Sequence, residues 1–138
     1  MRRYLLDTNV VSELRKIKPH GAVVQWLSSL NDEQIFISAV TLGEFQSGIE
    51  RTRAQDPNKA REIEDWVDQV AVSFQVLPMD ARCFRECARL AVGKPDHHQE
   101  DMMIAATSLI HDLTIATRNQ KDFEDLSVTI INPFKTSG

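Results

Sequence analysis

The sequence predicts an α/β domain in which helices cover a mostly parallel, five-stranded sheet. Short apolar runs alternate along the chain with segments whose apolar residues have helical spacing. Long helical spans separate the early strands, which favours crossover connections over hairpins. The 138 residues contain no repeat, low-complexity tract or Gly/Ser-rich linker, so residues 1–138 are predicted to form one domain with its own core.

The predicted strands are the five apolar runs, in chain order RYLLD, QIFIS, FQVLPM, LTIATRN and VTIINP. Helices at 10–16 and 22–30 are expected between the first two strands. A third helix is expected to start after Ser38 and to continue through Glu50. Strand and helix therefore alternate from the beginning of the chain, as crossover connections require.

Cap residues indicate where the three later helices start. Asp56 is the predicted N-cap of DPNKAREIEDWVDQVAV, with Pro57 at the first helical position. Asp80 is the predicted cap of ARCFRECARLAV. Asp96, with Gln99 three residues later, is predicted to cap the helix that contains QEDMMIAATSLI.

The last of these helices carries a carboxylate, Asp101, at the head of a segment that is otherwise apolar or small. Its apolar side chains cover every face of the helix, so the helix is predicted to be buried all round. A charge in its first or second turn must then be neutralised, paired or bound to a cation.

Other polar residues lie where strands end. Asp7 follows the first strand, Glu44 starts the helix after the second strand, and Asn119 and Asp122 follow the fourth strand. In open α/β sheets the carboxyl ends of the strands form the ligand crevice, so these residues and Asp101 are expected to converge there. Clustered carboxylates repel each other unless a hard cation lies between them, and oxygen ligands indicate Mg²⁺ or Mn²⁺.

Each acidic residue also has a purely structural interpretation. Asp7 could cap the helix that follows it, and Glu44 could close a capping box with Thr41. Asp122 could be a turn residue before Phe123. The joint pattern is more informative than any of its members, and it favours a metal site.

A zinc site is a weaker interpretation of the same sequence. Cys83 and Cys87 lie one turn apart on an amphipathic helix, which is more typical of core packing than of metal ligation. His97 and His98 are expected in a solvated surface loop. The sequence contains no Ser–His–Asp arrangement, P-loop or Gly-rich fingerprint.

Composition and charge limit the classes of protein to which the chain can belong. The net charge of −4 argues against coating nucleic acid by bulk charge, but it allows an enzyme that meets a phosphate through a metal and a few local bases. Asp7 follows only three apolar residues, so no signal peptide is expected, and no apolar run approaches the roughly 20 residues of a membrane span. Two cysteines are too few for a disulfide scaffold, and a cytoplasmic location without membrane contact is expected.

The order of these motifs resembles that of the PIN-domain ribonucleases, and more closely that of the VapC and FitB-like toxins of bacterial toxin–antitoxin operons. The motifs are LLDTNVVSEL, ISAVTLGEF, EDMMIAATSLIHDLTIATRNQKDFE and VTIINPF, in family order over nearly the whole chain. The specific part of the resemblance is D-T-N after the first strand combined with D-x-x-I-A-A before T-R-N-x-x-D-F.

The resemblance implies a metal-dependent endoribonuclease on a three-layer α/β/α sandwich. The first acidic position of the family matches Asp7, the second Glu44 and the third Asp101, and these three would hold Mg²⁺ or Mn²⁺. The fourth position varies in the family, and Asn119 and Asp122 compete for it here.

Neighbouring positions match supporting roles in the same family. Thr8, Asn9 and Thr117 match residues that usually orient the carboxylates by hydrogen bonds. Arg118 and Lys121 lie close to the expected site in the sequence and are candidates for contacts with the RNA backbone.

The resemblance also implies partners. These are an RNA substrate such as tRNA or ribosomal RNA, and a small cognate antitoxin of the VapB or FitA kind that binds the operator DNA. A homodimer and a toxin–antitoxin hetero-oligomer are expected as well.

Two alternatives are considered. One is a PIN fold that has lost its activity and only binds RNA or protein. The other is a phospho-receiver domain, which would need adjacent acids after the first strand and an acceptor after the third, where Asp80 is the only candidate. Metal-dependent cleavage distinguishes the nuclease from both.

Overall fold

The computed structural model describes residues 1–135, which form a five-stranded sheet in which every strand is parallel to its neighbours. The strands are β1 (Tyr4–Leu6), β2 (Ile35–Ser38), β3 (Gln75–Leu77), β4 (Thr114–Ala116) and β5 (Ile130–Ile131). Their order across the sheet is β3-β2-β1-β4-β5. The predicted fold class is confirmed.

Within residues 1–135 the α-helices are α1 (Thr8–Glu13), α2 (Gly21–Ser28), α3 (Ala39–Arg53), α4 (Pro57–Ser73), α5 (Ala81–Ala91) and α6 (Gln99–His111). A short 3₁₀ turn at Asp32–Gln34 precedes β2, and another at Gln120–Asp122 follows β4. In this part of the chain no helix is long and apolar enough to cross a membrane.

The helices cover both faces of the sheet because neighbouring strand residues point to opposite sides. Leu5 belongs to a core that contains Ala105 of α6, whereas the adjacent Leu6 belongs to a second core that contains Val10 of α1 and Val70 of α4. Two cores separated by one sheet make three layers, as the resemblance implies.

The strand order creates a crevice between β1 and β4. The chain runs from β1 to β2 and β3 on one side of the sheet, and β4 and β5 lie on the other side of β1. Leu6 at the end of β1 is in register with Ala116 at the end of β4. Asp7 and Thr117 therefore leave the sheet side by side, at the switch point where α/β proteins bind ligands.

The start of α6 differs from the prediction. His98, and not Asp96, is the N-cap, and its side chain makes no capping bond. Asp96 lies in a turn two residues earlier because His97 is tied by its Nε2 to Asp125 Oδ1 at 2.8 Å. The expected solvated loop is therefore anchored at His97, whose side chain is only 16% exposed.

Burial of α6 is extensive but not complete. Its residues Met102 and 104–108 are buried, whereas Gln99 and Glu100 are exposed and Leu109 is 37% exposed. The expectation of burial on every face is therefore wrong for both ends of the helix. Cys83 and Cys87 are buried free thiols on α5, and Cys87 belongs to the same core as Ala105. Their structural role is confirmed.

Candidate active site

Asp7 is fixed at the end of β1 by hydrogen bonds to both carboxylate oxygens. Oδ1 accepts from the backbone N–H of Thr8 at 2.8 Å. Oδ2 accepts from Thr117 Oγ1 at 2.8 Å and from Asn9 Nδ2 at 3.2 Å. The side chain is only 6% exposed and also serves as the N-cap of α1, so the capping interpretation is confirmed. Two oxygens with fixed directions make a rigid ligand.

The pKa of Asp7 is raised above its usual value. Burial is the largest cause, because it disfavours the charged form. The hydrogen bonds from Thr117 and Thr8 act in the opposite direction, and the charge of Asp122 adds to the increase. Ionisation of Asp7 therefore costs more free energy than ionisation of an exposed aspartate.

Glu44 is held from the opposite wall of the crevice. Thr8 Oγ1 donates to Glu44 Oε1 at 2.8 Å and lies 3.1 Å from Thr41 Oγ1. Burial is the main cause that raises the pKa of Glu44, and the charge of Asp7 raises it further. The capping-box interpretation is wrong, because Ser38 caps α3 through a bond from Val40 N.

Asp101 faces the same crevice from the first turn of α6. The pKa of its half-buried carboxyl is raised to about 6, first by burial and then by the charges of Asp7 and Asp122. Glu44 contributes a further increase, and His98 opposes it. These mutual effects indicate that residues far apart in sequence lie close together in the fold.

Of the two candidates for the fourth position, Asp122 is the one that lies among the acids. Its charge raises the pKa of both Asp7 and Asp101, and together with Asp101 and Lys121 it lines a cavity of about 200 Å³. Asn119 is exposed, and its backbone N–H donates to Thr117 Oγ1 at 3.0 Å. Its contribution is to orient Thr117, which in turn contacts Asp7.

Arg118 is already engaged within the protein. Its guanidinium stacks over the Phe134 ring at 3.9 Å, and Nη2 lies 3.9 Å from Glu13 Oε2. Its backbone N–H donates to Asn9 Oδ1 at 3.0 Å. Lys121 is therefore the better placed of the two bases expected to contact RNA.

Glu13 and Glu100 were not singled out from the sequence. Glu13 is 4% exposed, and its carboxylate accepts from the backbone N–H of His20 and pairs with Lys16. The i, i+3 spacing of Glu13 and Lys16 is the sequence signal that could have predicted this ion pair. Glu100 raises the pKa of Glu44 through its charge, and its position directly before Asp101 gave no hint of this.

The donor atoms in the crevice fit a small, hard divalent cation. Asp7, Glu44, Asp101 and Asp122 offer only carboxylate oxygens, the ligands that Mg²⁺ and Mn²⁺ prefer. Within residues 1–135 no group of three or more His, Cys, Asp or Glu side chains is arranged to hold a metal ion by itself. Mg²⁺ generally keeps several waters and binds through one or two carboxylates together with substrate phosphates.

Comparison with known proteins shows the family to which this chain belongs. The model of the PIN domain family matches residues 4–128. The chain therefore belongs to the PIN domain family. A relative named VapC ribonuclease Y4jK, from Sinorhizobium fredii, is 34% identical over 144 residues, which cover 95% of this chain and 97% of that protein.

Proteins of the FitAB system are also similar to this chain. Toxin FitB from Neisseria gonorrhoeae is 32% identical over 137 residues, covering 94% of this chain and 97% of that protein. The solved structure of FitAB bound to the IR36 DNA fragment has a TM-score of 0.82 and 30% identity, and the match covers 98% of both chains. The resemblance stated from the sequence is confirmed.

Proposed function

We propose that this chain is a divalent-metal-dependent endoribonuclease that acts in the cytoplasm as the toxin of a toxin–antitoxin pair. The observation that carries the proposal is the acidic crevice. Asp7 is buried and held by three hydrogen bonds, and its pKa is raised first by burial and then by the charge of Asp122. The pKa of Asp101 is raised first by burial and then by the charges of Asp7 and Asp122. Folded chains rarely keep such repelling groups together without a cationic partner.

Asp7 and Asp101 would bind the metal, with Glu44 and Asp122 contributing directly or through water. A bound Mg²⁺ or Mn²⁺ supplies activation of the attacking water and stabilisation of charge on the leaving oxygen. Thr117 and Asn9 hold Oδ2 of Asp7 in place by donating hydrogen bonds to it. Thr8 holds Oε1 of Glu44 in the same way.

The substrate is positioned by its phosphates and recognised by its shape. Lys121 is exposed on the rim of the cavity that contains Asp101 and Asp122, where it would contact a backbone phosphate. Hydrolysis with water as nucleophile does not need the substrate 2′-OH, so a preference for RNA would come from shape and flanking contacts. Transfer RNA or ribosomal RNA is the expected target.

The purified protein is expected to cleave RNA with Mg²⁺ or Mn²⁺ and to be inactive in excess EDTA. The physical reason is that the carboxylates bind the cation that activates the water. The measurement is cleavage of total RNA on a gel, with sites mapped by sequencing. Equal activity in EDTA would contradict the metal dependence, and no cleavage with either metal would favour a PIN fold that only binds RNA or protein.

The chain is expected to stop growth when expressed alone and to be neutralised by a small antitoxin encoded beside it. The support is the similarity to Toxin FitB and to FitAB bound to DNA, and contact with operator DNA would occur only through the antitoxin. The test compares growth with and without co-expression of the neighbouring gene. Normal growth despite abundant active enzyme would count against the toxin function. Homodimers and toxin–antitoxin hetero-oligomers are the expected assemblies.

A receiver domain fits the structure less well. The acceptor candidate, Asp80, caps α5 by accepting from Cys83 N at 3.0 Å. It follows β3, which is an edge strand, whereas Asp7 follows the central strand β1. The acids that approach Asp7 come from α3, α6 and the turn after β4.

A further inference from the structure

A groove runs along α3 away from the proposed catalytic centre. Its first part is a cavity of about 470 Å³ lined by Gly43, Glu44, Ser47 and Arg51 of α3 and by Glu100 and Met103 of α6. Its second part is a cavity of about 510 Å³ at the corner between α3 and α4, which includes Gly48, Arg51, Gln55 and Lys59. Arg51 lines both cavities, so we treat them as one feature and call it the α3 groove.

The groove is continuous with the site because Glu44 belongs to both. Glu44, Ser47 and Arg51 have the i, i+3, i+7 spacing that puts side chains on one face of a helix. Arg51 lies seven residues from Glu44, which is about 10 Å along the helix axis. An RNA strand whose scissile phosphate lies at the carboxylates would therefore continue along α3 past Arg51.

Arg51 is available to bind an anion. It is exposed, and within residues 1–135 it forms no salt bridge, unlike Arg53, which pairs with Glu50 and Glu64. Its Nη2 lies 3.7 Å from the position that a Cβ on Gly48 would take, so the guanidinium lies against the helix backbone in the groove. A planar guanidinium can contact two phosphate oxygens at once.

Gly43 keeps the groove open beside Glu44. A Cβ added there would meet no atom within 4 Å, so packing against the protein does not require glycine. Glycine inside a helix is destabilising relative to alanine. The missing side chain leaves room at the point where a nucleotide would leave the catalytic centre.

The opening on the other side of the centre is less suitable for a long polyanion. That cavity is smaller, about 200 Å³, and its lining includes the three carboxylates of Asp96, Asp101 and Asp122 with one lysine, Lys121. The α3 groove has two acids near its mouth, Glu44 and Glu100, and two bases farther along, Arg51 and Lys59. A third acid, Asp56, also lines the second cavity, where its carboxylate accepts from the backbone N–H of Lys59 as the N-cap of α4.

We infer that the α3 groove binds the single-stranded segment of RNA next to the cleaved bond, and that Arg51 contacts one of its phosphates. This inference rests on the proposed ribonuclease function and assigns that function a specific substrate path. It makes Arg51 a substrate-binding residue with no part in the chemical step.

The test measures binding of a short, labelled single-stranded RNA by fluorescence anisotropy in Mg²⁺, using full-length Asp7→Asn protein so that the probe stays intact. Arg51→Ala in that background is expected to raise Kd about 3- to 10-fold and to lower the salt slope of log Kd by about 0.7, the value for one phosphate contact. Arg51→Lys should restore the slope. Gly43→Leu, which fills the groove, should also raise Kd.

Arg61→Ala is the matched control, because Arg61 is exposed on α4 and outside both cavities. Identical Kd and salt slope for Arg51→Ala and Arg61→Ala would overturn the inference. So would an Arg51→Ala protein that keeps its RNA affinity but loses affinity for the co-expressed antitoxin, since the groove would then bind protein.

The failure of this inference can be told apart from failure of the proposed function. If the wild-type chain cleaves RNA and Arg51→Ala has no effect on binding, only the groove assignment is wrong. If the wild-type chain binds RNA through Arg51 but never cleaves it, the groove assignment holds and the nuclease function is wrong. If it neither binds nor cleaves RNA, both are wrong.

Discussion

Replacement of Asp7 by asparagine is expected to lower the rate of RNA cleavage by at least about 100-fold, a loss of roughly 3 kcal/mol of barrier lowering. Asparagine has nearly the same size but no charge to bind a divalent cation. Its amide group also places a donor where Asp7 accepts, against either Thr8 N or the side chains of Thr117 and Asn9. Both changes affect the residue with the most fixed carboxylate in the crevice.

The measurement is the initial rate of cleavage of a defined RNA in Mg²⁺, at saturating substrate. Asp68→Asn is the matched control, because it makes the same chemical change at an exposed position on α4, and it should cleave at the wild-type rate. Circular dichroism of both variants establishes that they are folded. A folded Asp7→Asn protein with near wild-type activity would place the catalytic centre elsewhere.

Replacement of Asp101 by asparagine is expected to raise the melting temperature of the metal-free protein. The pKa of Asp101 is about 6 in the folded chain, above the usual value of 3.8 for an aspartate. A shift of that size corresponds to about 3 kcal/mol, and the partial exposure of the group reduces this to about 1–2 kcal/mol. The gain in melting temperature at pH 7.5 should be about 3–6 °C.

The pH dependence gives the sign of the effect. A carboxyl whose pKa is raised on folding binds its proton more tightly in the folded state, so stability is greatest below the unfolded pKa. Stability is then lost as pH rises from the unfolded value through about 6, and it stays low above that. The advantage of Asp101→Asn over wild type should therefore be present at pH 7.5 and absent at pH near 4.

Metal addition provides the second half of this test. Mg²⁺ should raise the melting temperature of the wild type, and the increase should be smaller for Asp101→Asn, because stabilisation by a ligand depends on its affinity for the folded state. Thermal melts of both proteins with EDTA and with excess Mg²⁺ measure this. If Asp101→Asn melts well below wild type in EDTA, Asp101 is a structural residue and its assignment as a metal ligand is wrong.

The sequence was sufficient to predict the sheet and the acids that meet at its edge. The strands are apolar runs too short for a long helix, and the ends of parallel strands lie at one edge, so Asp7 and Glu44 could be placed near each other without a structure. Asp101 stood out because a charge heads a helix that the sequence otherwise predicts to be buried. The supporting roles of Thr8 and Thr117 came from the family resemblance.

Features that depend on contacts between distant segments could not be predicted. The cap of α6 moved from Asp96 to His98 because His97 is bound to Asp125, 28 residues away. The choice of Asp122 over Asn119 for the fourth position of the site depended on the structure of the 3₁₀ turn after β4. Cap residues in the sequence predict the first residue of a helix only when no tertiary contact competes with the cap.

The hydrogen bond from Thr117 to Asp7 joins residues 110 positions apart. Asp7 directly follows β1, whereas Thr117 and Asp122 follow β4. A ribosome must therefore have synthesised the chain through β4 before the proposed centre can form. Until β4 pairs with β1, the growing polypeptide lacks the hydrogen bond that fixes Oδ2 of Asp7 to Thr117. The order of synthesis thus sets the earliest moment at which the proposed centre can be complete.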